Sequence, residues 1–288
     1  MRKPLHATLF VLAASLVGSV AADAQKVLPP ATGANEVVLA PHRAVYELKL
    51  ARTRGSRSIE GLRGRILYDF TGSACAGYGL QFRQVSELDS GEGKTVLSDL
   101  RASTWEDAQA KQFRFNSENR MNDKAIDTVD GNAERKSNNV AISLKKPSGK
   151  NFQIGAEAVF PTEHMRKIIE AARAGQTVLE VVVYDGSETG EKIYNTLTVI
   201  GQPIKPGEKV PDDPSAKALA GLTRWPVTIS YFDKEGGGDK KGEQMPVYAV
   251  GFELFENGIS RALKLDYTDF AISGEMTSLE LSAPKPCP

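Results

Sequence analysis

Residues 248–267 read YAVGFELFENGISRALKLDY, and this stretch indicates the fold most clearly. In its first half, apolar residues alternate with others, as in a strand with one buried face: Tyr248, Val250, Phe252 and Leu254. The same alternation returns in a run that ends at Tyr267. Between the two runs, Asn257-Gly258 tolerates the positive φ angles of a tight two-residue turn. The stretch therefore predicts a β-hairpin.

Similar alternating runs extend outward from this hairpin through most of the chain. Examples are residues 46–50, 66–70, 178–184, 193–200 and 225–231. Their regular spacing predicts a mainly β protein built from a single many-stranded, curved antiparallel sheet, either a β-spiral or an open barrel. Asp130-Gly131 is a second, weaker signal for a hairpin turn.

One segment departs from the β pattern and predicts an amphipathic helix around residues 162–174. Thr162 is a suitable N-cap and Gly175 a suitable C-terminal stop. His164, near the helix start, is interpreted as a surface or packing residue, because no second histidine lies within a turn. The apolar positions form one stripe, a candidate groove or plug for the sheet, which consists of Met165, Ile168, Ile169 and Ala172.

The N-terminus has the pattern of a secretory signal peptide. Arg2 and Lys3 precede an apolar run over residues 7–22 that is shorter than the roughly 20 residues needed to span a bilayer. Ala22-Asp23-Ala24 offers a cleavage site, and the next residue, Gln25, excludes lipid attachment to a new N-terminal cysteine. The predicted organisation is a signal peptide over residues 1–24, an irregular lead-in over 25–41 and one domain over 42–288, exported to the periplasm without lipidation.

The chain has two cysteines, Cys75 and Cys287. An oxidising compartment favours a disulfide between them. Two free thiols or an intermolecular bridge are the alternatives. A redox site is disfavoured because the sequence contains no Cys-x-x-Cys motif.

Composition excludes several functional classes. Lys and Arg together number 36, and so do Asp and Glu, which gives no basic surplus for nucleic acid. After the signal peptide only two histidines, His42 and His164, remain beside the two cysteines, too few for a zinc site of the usual Cys/His kind. No Gly-x-Ser-x-Gly elbow accompanies these histidines. We therefore predict no metal site, no cofactor and no catalytic triad, and the residues favour a protein that is not an enzyme without deciding the question.

Two motifs resemble known binding loops without completing them. Residues 91–95, Gly-Glu-Gly-Lys-Thr, end like a phosphate-binding loop, but the first glycine of that motif is replaced by Leu88. Residues 185–190 resemble the start of a calcium loop, but the position of its bidentate glutamate is Thr196. We interpret the first segment as a hairpin loop and the second as a β-turn.

Several stretches, taken in order, resemble the EipB family of periplasmic cell-envelope-integrity proteins. They are His42–Tyr46, Gly72–Tyr78, Phe160–Met165 with Ala171–Gly175, Val183–Ser187, Tyr194–Thr196 and Glu256–Gly258 with Leu265–Tyr267. The resemblance covers roughly residues 40–288. It implies a monomeric periplasmic β-spiral, a disulfide between an early and the last cysteine, here Cys75 and Cys287, and support of a tetratricopeptide-repeat partner protein. It implies no catalytic residues.

Three hypotheses for function follow. The first is a non-enzymatic envelope protein whose curved sheet binds an envelope component or a protein partner. The second is a carrier or sensor of a lipid-like ligand held in an apolar concavity. The third is a glycan-acting enzyme with a carboxylate pair, because sequence spacing cannot reveal which carboxylates face each other in space.

Overall fold

The computed structural model describes residues 36–54, 59–91, 93–234 and 245–287. Two helices are present in these ranges, α1 (Pro161–Arg173) and the single-turn α2 (Ser215–Ala218). The strands are β1 (His42–Thr53), β2 (Gly61–Ser73), β3 (Gly77–Asp89), β4 (Thr95–Glu106), β5 (Gln112–Met121), β6 (Lys124–Arg135), β7 (Asn139–Lys146), β8 (Lys150–Gly155), β9 (Val178–Val183), β10 (Tyr194–Ile200), β11 (Arg224–Asp233), β12 (Tyr248–Phe255), β13 (Ser260–Tyr267) and β14 (Phe270–Leu281).

The strands of the described ranges form one antiparallel sheet in the order β8-β7-β6-β5-β4-β3-β2-β1-β14-β13-β12-β11-β10-β9. Neighbours in this order are mostly neighbours in sequence, so hairpins make most of the connections. The pairing of β1 with β14 joins the two halves of the chain. The sheet curves but does not close, because β8 and β9 are its two edges. The predicted fold class is confirmed.

The segment after β8 covers one of these edges. The Val159 amide donates to the Val182 carbonyl at 2.8 Å, and the Tyr184 amide donates to the Val159 carbonyl at 3.0 Å. This short parallel contact satisfies backbone groups of β9 that would otherwise be open to pairing with another chain. It also brings the chain directly to the start of α1.

The predicted hairpin at Asn257-Gly258 is confirmed, since β12 and β13 pair along most of their length. The connection spans residues 256–259, and within it the positive φ angle is at Gly258, at 86°. The Gly258 amide donates to the Phe255 carbonyl at 2.9 Å. The turn is therefore longer than two residues and needs the left-handed conformation at its glycine.

The hairpin predicted at Asp130-Gly131 is wrong, because both residues lie inside β6. The turn between β5 and β6 is at Asn122 and Asp123, whose φ angles are 48° and 64°. Gly131 serves a packing purpose. A Cβ at this position would lie 2.6 Å from the Phe115 ring. Because glycine has no side chain, the ring can pack directly on the backbone here.

Helix α1 agrees with the prediction to within a residue at each end, but its N-cap differs. Phe160 is the N-cap, Pro161 begins the helix, and Thr162 lies in the first turn instead of capping it. At the other end Gly175 has a φ of 73°, and the Gln176 amide donates to the Ala171 carbonyl at 2.9 Å. This is the expected left-handed stop of a helix.

Residues 37–288 form one compact unit, and its described part begins with the lead-in. Val37 and Leu39, within the irregular residues before β1, are nearly fully buried in the core cluster that contains Ile168 and Ile169. The predicted signal peptide lies outside the described residues. Among those that are described, no helix is long and apolar enough to cross a membrane.

Candidate functional site

A cavity of about 960 Å³ lies between the two halves of the sheet. Its wall is formed by residues of β1 to β6 on one side and of β10, β12 and β13 on the other, together with Met165 of α1 and the turn over residues 185–189. Alternation in a strand places every second side chain on the same face. The inward positions on β4 include the small Ala102, which leaves room in the centre. Exposed Asp127, Glu188 and Val247 mark where the cavity meets solvent.

Most of the cavity wall is apolar or aromatic. Leu100, Leu263 and Leu265 contribute aliphatic surface. Tyrosines contribute rings at the side formed by β10 to β13. Tyr231 and Tyr248 stack with ring centroids 4.5 Å apart, and Tyr194 meets Tyr231 edge-on at 5.7 Å. Stacked and edge-on contacts are favoured aromatic geometries, so Tyr231, which does not itself line this cavity, packs against the wall residues Tyr194 and Tyr248.

A smaller pocket of about 220 Å³ adjoins the cavity beside α1. Both spaces share His42, Tyr68, Met165 and Asp185 in their walls. The smaller pocket adds His164, whose residue is 4% exposed. Burial lowers the pKa of His164 to about 4, so its imidazole is neutral near pH 7. Its Nε2 atom has no hydrogen-bond partner in the described part of the chain.

Asp185 and its loop form the polar part of the cavity wall. The Ser187 amide donates to Asp185 Oδ1 at 2.9 Å, which is the local turn expected from the sequence. The Tyr194 hydroxyl donates to Glu188 Oε1 at 2.7 Å. Burial raises the pKa of Asp185 above its ordinary value, and the hydrogen bonds from Ser187 oppose this effect. The segment that resembles a calcium loop is thus a wall of the cavity.

The rest of the calcium pattern is not assembled. Thr196 is buried in β10, and its hydroxyl donates to the Val181 carbonyl at 2.9 Å. Within the described ranges, no three His, Cys, Asp or Glu side chains are grouped so that they could hold a metal ion. The other look-alike, around Gly91 and Lys94, connects β3 to β4 as a hairpin loop, as predicted.

Glu106 anchors the start of α1. This residue of β4 is 2% exposed. Its carboxylate accepts hydrogen bonds from the Thr162 and Glu163 amides, both at 2.8 Å, and Arg166 lies 3.9 Å away. A carboxylate here satisfies amides that the helix itself leaves free and opposes the positive end of its dipole. Burial nevertheless raises the pKa of Glu106 to about 7, against those hydrogen bonds and the Arg166 charge.

The predicted apolar stripe of α1 divides between the core and the cavity. Ile168 and Ile169 are fully buried, and Ala172 is 6% exposed. Full burial of an isoleucine side chain stabilises the fold by about 1.5–3 kcal/mol. Met165 is partly exposed and lines both spaces. The stripe therefore fixes the helix through its isoleucines and presents Met165 to the cavity.

The two cysteines lie together. A disulfide joins Cys75 and Cys287, whose Cα atoms are 5.4 Å apart. The Lys285 amide also donates to the Gly72 carbonyl at 3.0 Å. The C-terminal tail after β14 is thus attached to the turn between β2 and β3.

Sequence reasoning did not identify Glu106, Asp185 or the tyrosines as parts of one site. Strand alternation predicts which residues point inward, but not which inward positions face an empty space. Two features of the sequence could have indicated the cavity. One is the small Ala102 among larger inward residues, and the other is the glycine-containing turn over residues 185–190 that carries Asp185.

Comparison with known proteins agrees with this architecture. A family model described as EipB-like matches residues 33–283. The cell envelope integrity protein EipB of Brucella abortus (strain 2308) is 35% identical over 254 residues, which cover 87% of each chain. A crystal structure of a β-barrel-like protein with a domain of unknown function, also from Brucella abortus, has a TM-score of 0.77 at 33% identity and covers 85% of this chain and 99% of that one. The chain belongs to the EipB-like family.

Proposed function

We propose that the protein supports cell-envelope integrity as a non-catalytic binding protein of the periplasm, and that its cavity holds an apolar or amphiphilic envelope component. The observation that carries the proposal is the cavity itself. Its volume of about 960 Å³ is in the range of sites that enclose small ligands. A wall in which apolar and aromatic side chains predominate is typical of such sites. The name of the Brucella relative supports the connection with the envelope.

This proposal combines the first two hypotheses from the sequence. An apolar concavity was the feature expected of a carrier or sensor, and the predicted signal peptide supports the periplasmic location. The tetratricopeptide-repeat partner and the monomeric state, implied by the resemblance, stay predictions. They can be tested by affinity purification from crosslinked cells and by light scattering.

Filling the cavity tests the proposal. Ala102→Trp places an indole where a small side chain now lines the space. We expect the variant to remain folded, to lose ligand binding and to fail to restore detergent resistance to a deletion strain. Ala125→Trp, at an exposed position of β6, is the matched control and should restore resistance. Full complementation by a folded Ala102→Trp protein would contradict the proposal.

The glycan-acting enzyme is tested in the same strain. Asp127→Asn and Glu188→Gln each remove the charge of an exposed carboxylate on the cavity wall. A binding protein whose site is mostly apolar should tolerate each change. A folded variant that behaves like the deletion would favour catalysis.

A further inference from the structure

The charged residues around the cavity have one sign. Asp127, Asp185 and Glu188 supply carboxylates to its wall. No lysine or arginine lines the cavity or the adjoining pocket in the part of the chain that the structure describes. An anionic head group would therefore meet carboxylates without a basic partner, whereas a cationic one would be attracted.

Asp185 is the carboxylate best placed to hold such a head group, because it lies in the walls of both spaces. Its carboxylate accepts hydrogen bonds from Ser187 in its own turn. Among the described residues no Lys, Arg or His forms an ion pair with it. Asp185 is half-buried, and a partly desolvated carboxylate without a counter-ion is unfavourable. A bound cation would supply that counter-ion.

His164 is a second and independent polar group of the pocket. Its side chain is buried, it lines the smaller pocket with Asp185, and its Nε2 atom lacks a hydrogen-bond partner among the described residues. A neutral imidazole has one nitrogen that accepts a hydrogen bond. Buried polar atoms are normally satisfied. In the tautomer that carries its proton on Nδ1, a donor from a ligand in this pocket would satisfy Nε2 and complete the site.

The start of α1 does not offer a place for an anion instead. The amides of Thr162 and Glu163, which could otherwise bind one, already donate to Glu106. Arg166, the first arginine of the helix, lies 3.9 Å from that same carboxylate. The positive end of the helix is thus occupied by a group of the protein itself.

The tyrosine rings favour the same class of ligand. Tyr231 lines the smaller pocket and Tyr248 the larger one, and the two rings stack on each other. The faces of aromatic rings attract cations. Carboxylate, imidazole and ring faces together suit a protonated amine.

We propose that the cavity selects amphiphiles whose head group carries a protonated amine, with the nitrogen held by Asp185 and His164 and the apolar tail in the larger space. This inference rests on the proposed function, since it names the class of ligand for the same cavity.

Calorimetric titration with three probes of equal chain length tests the inference. Dodecylammonium, dodecyltrimethylammonium and dodecyl sulfate are titrated at pH 7 below their micelle concentrations. We expect dodecylammonium to bind at least about tenfold more tightly than dodecyl sulfate, from one charge-assisted hydrogen bond. Dodecyltrimethylammonium should bind more weakly than dodecylammonium because it has no N–H donor.

Asp185→Asn should weaken dodecylammonium binding about tenfold and should not weaken dodecyl sulfate binding, because the change removes a repulsive charge. Glu275→Gln, which removes an exposed carboxylate paired with Lys49, is the matched control and should bind as the parent does. Equal affinity of the unmodified protein for dodecylammonium and dodecyl sulfate would overturn the amine inference while leaving the cavity function intact. If none of the three probes binds, the proposed function itself fails. The comparison among probes on the unmodified protein decides the inference even if Asp185→Asn does not fold.

Discussion

Replacement of Glu106 by glutamine should change how the stability of the protein depends on pH. The buried Glu106 carboxyl has a pKa of about 7 in the folded chain, against an ordinary value near 4.3 in an unfolded one. An unfolded chain therefore releases this proton at lower pH than the folded chain. Stability contributed by the protonated carboxyl is present at low pH and is lost as the pH rises through about 7.

The magnitude follows from the difference between the two pKa values. One pKa unit corresponds to about 1.4 kcal/mol. Ionisation of Glu106 should therefore lower the free energy of unfolding by about 3 kcal/mol as the pH rises from 4.5 to 8. The side chain is 2% exposed, so water does not screen it. Glu106→Gln cannot ionise and should lack this dependence.

Urea unfolding of both proteins at pH 5 and pH 8 measures the effect. The free energy of unfolding of the parent minus that of Glu106→Gln should fall by about 3 kcal/mol from the lower to the higher pH. Taking this difference cancels groups common to both proteins. Glu275→Gln, at the exposed surface, should show no such change. A difference that stays constant within about 0.5 kcal/mol would refute the reasoning, because it would mean that the two amides and Arg166 fully compensate for burial.

Three further changes have defined outcomes. Burial lowers the pKa of His164 to about 4. As the pH falls from 6.5 to 4, the free energy of unfolding in urea should therefore drop by about 3 kcal/mol more for the parent than for His164→Asn. Equal drops would contradict the burial of His164 as a neutral group. Cys287→Ser removes a disulfide that links residues 212 positions apart and should lower the free energy of unfolding by up to about 5 kcal/mol. The tail should be digested faster by protease, while circular dichroism still shows the sheet. Unchanged stability would argue against the disulfide. Ile168→Asp places a charge at a fully buried position and should lower the stability of the folded protein by about 4 kcal/mol or more. Thermal unfolding measures this loss. A variant as stable as the parent would contradict the packing of α1.

Local patterns in the sequence predicted the fold because they have local physical causes. Alternation at residues 248–267 reflects a strand with one buried face, and the Asn257-Gly258 turn requires a residue that tolerates positive φ. The same reasoning failed at Asp130-Gly131. There the glycine is required by the Phe115 ring from a neighbouring strand, a contact that sequence spacing does not show.

The candidate site depended on contacts between distant segments. Glu106 accepts hydrogen bonds from the amides of Thr162 and Glu163 more than fifty residues away, whereas the local sequence predicts the N-cap at Thr162 itself. Asp185 appeared as part of an incomplete calcium motif, and its role in the cavity wall depends on how the sheet curves. His164 is predicted from the sequence as a surface or packing residue, and the structure buries it. Its unpartnered Nε2 becomes visible only once the pocket around it is known.

Native mass spectrometry of the protein purified from periplasm without detergent tests the central claim most directly. The account predicts a population of the unmodified protein with an added mass that dissociates on activation and belongs to an amphiphile, together with its loss in Ala102→Trp and its retention in Ala125→Trp. The bare polypeptide mass in all three proteins, obtained under conditions that preserve a known lipid complex, would contradict the claim that the cavity carries an envelope component.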